Sequence, residues 1–269
     1  MKRYYVSYPN GKSKALTFSY DDGMKHDRRL VELFNRYGLK GTFHLNGGLF
    51  PEETGNEERL SKYEVASLYE GHEVAAHTYT HPFISQCPIE KVAEEIIEDR
   101  KALEELVAYP VQGFSYPYGS YNDQIKSLLP ALGIEYARVV GDSRHFNLPN
   151  DWYEWQATCH HNVDLMPLGK KFVGQRDNGY LSLMYVWGHS FEFEGDQNWE
   201  LIEEFCEFIS EYRDDIWFAT NIEMKRYLKD AKRLVYSADG SRVYNPNGRT
   251  IWVKIDGQVL EIEPGHHQL

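Results

Sequence analysis

"KALTFSYDDGMKHDRRLVELFNRYG", residues 14–38, changes its period halfway along. Its first part, "KALTFSY", is a short run that reads as a strand ending at Asp21. Beyond His26 the apolar residues recur at helical spacing until Gly38 stops them. The same strand-then-helix unit repeats outward along the chain. "KGTFHLN" is the next strand. After a charged stretch at 52–60, "SKYEVASLYEG" opens with Ser61 and has Glu64 three residues on, the capping-box spacing of a helix start. "HEVAAH" follows as a strand, then the long amphipathic helix "PIEKVAEEIIEDRKALEELVAY" with Pro88 at its head, and then "VQGFSY". Later pairs are "YNDQIKSLLPALG" with "EYARVV", and, past a weakly patterned stretch at 141–168, "YLSLMYVWG" with "NWELIEEFCEFISEYR", followed by "DIWFAT" and a helix at about 220–232. Such alternation predicts a parallel sheet or barrel whose chemistry collects at the strand C-termini. From Arg233 apolar and polar residues alternate between "DG", "NPNG" and "DG" turns, which predicts antiparallel hairpins. The expected organisation is therefore a barrel over 1–232 and a small β-hairpin appendage over 233–269, with Tyr244 and Trp252 packing rather than binding sugar.

Composition narrows the partners. The chain has 269 residues and a formal charge of -12, which disfavours nucleic acid or an anionic membrane surface, since both call for a basic face. A neutral or cationic ligand suits it better. No apolar run approaches the roughly 20 residues that span a bilayer, and "MKRYYVSYPNGKSKALTF" has a basic start without an apolar core or cleavage site. A cytoplasmic location is expected on that reading. Cys87, Cys159 and Cys206 are scattered and odd in number, as buried reduced thiols would be.

The predicted strand ends carry the chemistry: Asp21 and Asp22 in "SYDDG", His77 and His81 in "AHTYTHP", a Pro117–Gly119 turn in "YPYG", and His189 in "VWGHSFE". On a helix, His77 and His81 would share a face. The β-branched Thr78 and Thr80 and the following Pro82 instead place them on a loop after the strand. Two imidazoles and one carboxylate are a frequent hydrolytic metal set that leaves coordination positions open. The second carboxylate and third imidazole are then available as base and acid.

These residues resemble the NodB-type polysaccharide deacetylases, carbohydrate esterase family four, as an atypical member. The family's TFDDG motif is similar to "TFSYDDG", with two residues inserted after Phe18. The resemblance implies Asp21 as catalytic base and Asp22 as metal ligand. H[ST]xxH matches unchanged, which implies metal ligation by His77 and His81. RxP[YF]G becomes "SYPYG", with Ser115 in the place of the arginine that orients the base. DxxDW has no clear match in 141–168, and LxxH is similar to "VWGH", which implies His189 as the acid. The resemblance covers roughly 12–220. It implies an α/β fold, a distorted (β/α)7 barrel with one divalent metal, zinc first among the candidates ahead of cobalt, nickel or manganese. It also implies a hydrolase that removes acetyl groups from an N-acetylated or O-acetylated sugar, with the Tyr118 backbone N–H at the oxyanion.

Two other readings remain at this stage: a metal-independent amidase of a small or cyclic amide, and a catalytically silent carbohydrate-binding module. For the carboxylate partner of His189, Asp164 and Glu192 are candidates from sequence proximity. His160 and His161 read as solvated loop residues, His44 and His72 as packing residues, and His266 and His267 as a solvated tail. Trp152, Trp155 and Phe191 read as core rather than a sugar groove. Oligomeric state is not legible.

Overall fold

The protein is described by a computed structural model that covers residues 3–51 and 58–269. Its strands are β1 (Tyr4–Ser7), β2 (Lys14–Asp21), β3 (Gly41–Leu45), β4 (Glu73–Ala76), β5 (Gly113–Ser115), β6 (Tyr136–Asp142), β7 (Trp155–Ala157), β8 (Cys159–His160), β9 (Ser182–Gly188), β10 (Ile216–Phe218), β11 (Val235–Tyr236), β12 (Arg242–Asn245), β13 (Ile251–Ile255), β14 (Gln258–Ile262) and β15 (Gly265–Gln268). The helices are α1 (Asp27–Tyr37), α2 (Val65–Leu68), α3 (Ile89–Val107), α4 (Asp123–Leu128), α5 (Leu165–Val173), α6 (Ser190–Gly195), α7 (Trp199–Ser210) and α8 (Asn221–Ala231).

The nine-stranded parallel sheet runs β7-β6-β5-β4-β3-β2-β9-β8, with β10 also paired to β2. It closes almost completely because β7 and β8 are consecutive: β7 pairs with β6, β8 pairs with β9, and between them Thr158 N–H donates to Tyr185 O at 2.7 Å. Of the parallel sheet or barrel that the alternation predicted it is the barrel, and it has the distorted α/β form that the resemblance implied. β2 is its most enclosed strand. Seven of its eight residues are buried, and Phe18 packs on Phe34 of α1 at 4.6 Å between ring centroids. Gly38 caps α1 in the left-handed region, φ 64°, as its place at the end of the helical pattern requires. At Gly113 a Cβ would lie 2.2 Å from the Tyr136 hydroxyl and 2.8 Å from Glu73 Oε1, so no larger residue fits that strand.

The sequence expectations differ from the structure at two elements. The helix predicted from Ser61 is only the single turn α2, although half of its capping box forms: Glu64 Oε2 accepts the Ser61 N–H at 3.1 Å. The predicted hairpins of 233–269 form two three-stranded sheets, β11-β12-β15 and β1-β13-β14. The second includes Tyr4–Ser7, antiparallel to Trp252–Ile255. Trp252 and Ile251 pack with Tyr8 and Tyr227 against the barrel floor, whereas Tyr244 is exposed and stacks on His266. Cys159 and Cys206 are buried free thiols and Cys87 is half-buried. Among the described residues no helix is long and apolar enough to cross a membrane.

Candidate active site

The strand ends of β2, β4 and β9 bring the predicted residues together. Asp21 ends β2. Asp22 follows at φ 83° and donates its N–H to His44 O, which pins the turn to β3. His77 directly follows β4, and its N–H is shared between Leu45 O and Asp99 Oδ2. Thr78 and His81 adopt φ 68° and 59°, uncommon for any non-glycine residue and strained for a β-branched one. Asn46 holds that backbone by donating to the carbonyls of His77 and Thr78, and Thr78 Oγ1 accepts the His81 N–H. His77 and His81 thus sit on a tight loop, as Pro82 and the threonines implied.

The loop places His77 Nε2 and His81 Nε2 3.1 Å apart, 3.8 Å and 3.6 Å respectively from Asp22 Oδ1. His77 Nδ1 is 2.9 Å from the Ser115 carbonyl oxygen. Donation to that carbonyl places the ring proton on Nδ1 and frees Nε2 as a ligand. Burial lowers the His77 pKa to about 3 despite nearby Asp21, so the imidazole is neutral. Asp22 Oδ1 is buried without a hydrogen-bond partner among the described residues. These three donor atoms fit a divalent cation.

Asp21 is nearly fully buried, at 3% exposure, and stays ionised. Burial pushes its pKa up, but Arg138, with His77 and His44, outweighs this and holds it well below the ordinary carboxylate range. The Arg138 guanidinium donates to Asp21 Oδ2 and lies over the Trp187 ring, 4.7 Å from its centroid. Ser115 Oγ donates to Asp21 Oδ1 at 3.3 Å. Ser115 and Arg138 are direct register partners across β5 and β6. An arginine therefore reaches the base from the strand next to the one where the motif carries it. The signal was an arginine inside "EYARVV", a charge in a buried strand. His44 is fully buried, as a packing residue would be, but its Nδ1 also lies 3.4 Å from Asp21 Oδ1.

His189 follows β9 and precedes α6. Its backbone N–H donates to Glu192 Oε2 at 3.0 Å, and its Nδ1 lies 3.3 Å from Glu192 Oε1. Burial opposes charge on this ring, yet Glu192, Asp21 and Asp22 together raise its pKa above the usual value. Of the two carboxylates considered for this place, Asp164 is not the partner: it pairs with the exposed Arg144. His160 and His161 are not solvated either. His161 is completely buried, and the side chain of His160 is 16% exposed, 3.0 Å from Glu192. The weak pattern of 141–168 hid β8, which is two residues long.

Tyr118 takes φ 56° in the turn after β5. Its ring meets His81 at 4.5 Å and stacks on Phe83 at 4.0 Å and 11°, and both Tyr118 and Phe83 are exposed. Ser85 and Ser120 tie the two loops together through side-chain and backbone hydrogen bonds. Trp155 is in the core against Tyr185, Trp152 leans on it, and Phe191 is half-buried beside His189.

Residues 8–137 match the family model for polysaccharide deacetylase. That segment carries Asp21, Asp22, His77, His81 and Tyr118. The chain is 26% identical over 142 residues to the peptidoglycan-N-acetylglucosamine deacetylase PgdA of Listeria monocytogenes, a match covering 52% of this chain and 29% of that one. A solved structure of a Mycobacterium smegmatis protein assigned as a polysaccharide deacetylase has the same fold at TM-score 0.62, with 18% identity, covering 85% of this chain and 94% of that one. So does a family-four pseudoenzyme from Bacillus anthracis, at TM-score 0.53 and 15% identity, covering 82% and 68%. Because fold is shared with a pseudoenzyme, activity has to be argued from side chains.

Proposed function

We propose that this chain is a metal-dependent hydrolase that removes acetyl groups from an N-acetylated or O-acetylated sugar. The observation that carries the proposal is the pairing of an ionised, buried base, Asp21, with a raised-pKa histidine, His189, beside three donor atoms suited to a cation. A binding module has no need of that division of protonation states. A divalent cation held by Asp22, His77 and His81, zinc ahead of cobalt, nickel or manganese, would acidify water and polarise the acetyl carbonyl. Asp21 accepts the proton of the attacking water. The Tyr118 backbone N–H stabilises the developing oxyanion. His189, oriented by Glu192, donates a proton to the departing amine, which leaves poorly without one. The exposed Phe83 and Tyr118 rings offer an apolar face to a pyranose ring. The net charge of -12 favours a neutral or cationic glycan. The Listeria relative, a peptidoglycan-N-acetylglucosamine deacetylase, supports an acetylated amino sugar as the substrate class.

The test is acetate release from N-acetylated and O-acetylated oligosaccharides by chelator-stripped protein, before and after one equivalent of zinc. Acetate should appear only after metal is restored. Metal-loaded, folded protein that releases none from any member of the panel would overturn the proposal.

A further inference from the structure

A second set of donor atoms lies where β8 faces the start of α6. His160 Nε2 and His161 Nε2 are 3.0 Å and 3.3 Å from Glu192 Oε2. These separations are close to the roughly 3.3–3.5 Å expected between ligands on one tetrahedral cation with bonds of about 2.0–2.2 Å. His161 supplies an independent observation. It is fully buried, and neither of its ring nitrogens has a hydrogen-bond partner among the described residues, although Nε2 lies so near a carboxylate. The ring is held there. It stacks on Phe193 at 4.0 Å and on Tyr20 at 5.7 Å, and a Cβ at residue 188 would come within 2.1 Å of its Nδ1, so glycine is required beside it. His160 is fixed by its backbone N–H, which donates to Asp142 Oδ1, the oxygen that also accepts the Trp187 indole N–H.

We propose that His160, His161 and Glu192 bind a second divalent cation, distinct from the one assigned to Asp22, His77 and His81. Two imidazoles and one carboxylate select zinc, cobalt or nickel over calcium or magnesium, which prefer all-oxygen sites. The side chains of His160 and Glu192 are 16% and 26% exposed, which gives the ion an entry side and room for water ligands. His160 Nδ1 accepts the Asn162 N–H at 3.2 Å. Coordination through Nε2 moves the ring proton to Nδ1 and gives up that one long bond in exchange for a coordinate bond. Glu192 Oε1 remains available to His189 Nδ1, 3.3 Å away. The site does not rest on the catalytic reading of the first triad, and the two fail separately.

The experiment is cobalt and zinc titration of the chelator-stripped full chain, with bound metal counted after equilibrium dialysis. Wild type should saturate at two equivalents, the His77→Ala/His81→Ala variant at one, and the His160→Gln/Glu192→Gln variant at one. Histidine ring 15N resonances of wild type give a readout that needs no variant to fold: the second equivalent should move His160 and His161, the first His77 and His81. Saturation of wild type with the His160 and His161 resonances unmoved would overturn the proposal. Loss of only the first equivalent would instead overturn the Asp22 assignment and leave this one standing.

Discussion

Replacing Arg138 with methionine removes the guanidinium that, among the described residues, meets the base, while keeping much of the side-chain volume. Arg138 is 0% exposed and Asp21 3%, so the change leaves a buried carboxylate facing an apolar side chain. Breaking one side of such a pair costs about 3–5 kcal/mol in other proteins. Ser115 and His44 still contact Asp21 Oδ1, so the lower part of that range is expected here. Loss of the neighbouring positive charge also raises the Asp21 pKa, and the carboxylate loses its fixed orientation. Both act on proton abstraction, where a positioned base contributes about 100-fold or more. The assay is kcat/KM for acetate release with metal content measured in parallel, beside a urea unfolding midpoint. A 100-fold loss with metal retained is expected. The register partnership of Ser115 and Arg138 then makes a sharper demand: Ser115→Arg combined with Arg138→Ser puts the guanidinium back beside Asp21 from β5 and should recover activity that neither single variant has. A folded Arg138→Met enzyme within threefold of wild type would refute the reasoning.

The adjacent aspartates should separate: Asp21→Asn keeps its metal and loses turnover by about 100-fold or more, whereas Asp22→Asn loses metal affinity, and metal analysis showing the reverse would exchange their roles. His189→Ala should cost on the order of 100-fold on an N-acetyl substrate and far less on an aryl acetate, whose phenolate leaves unaided; equal losses would make His189 structural. Asp27 reports on pH. Burial raises its pKa to about 7, against hydrogen bonds from Ser190 and Tyr69. A carboxyl raised above its unfolded value of about 3.9 takes up a proton on folding, so its contribution is greatest below that pH and fades as pH climbs towards 7. Asp27→Asn should therefore flatten the decline in unfolding free energy between about pH 4 and 7, and an unchanged slope in urea titrations would contradict the assignment.

Local period carried most of the fold into view. β2, β9 and α3 were legible because each has a uniform environment along its length, and a uniform environment writes a uniform pattern. β7 and β8 were not, since three- and two-residue strands that switch neighbours are too short for any period to show. The site divides the same way. Asp21, Asp22, His77 and His81 lie in contiguous stretches where strand end and chemistry coincide. Arg138, His161 and the contact of His44 with the base arise from pairing between segments far apart in the chain, which a linear reading does not contain. Glu192 was already a candidate from its proximity to His189, and that place is a helix-capping one as well.

The small sheet that joins Tyr4–Ser7 to Trp252–Ile255 sets an order of events during synthesis. The Arg3 amide and the Asp256 carboxylate that bond across this sheet are 253 residues apart. Tyr4–Ser7 thus leaves the ribosome long before its partner strand, and the Tyr227 hydroxyl that binds Ser7 O arrives only shortly before that partner. Contacts so distant in sequence form late because loop closure precedes any gain from them. The barrel strands from β2 to β9 can pair during that interval, and the final segment then fastens over a floor already built. A nascent chain stalled before Ile251 would carry a complete set of candidate site residues under an unfastened base.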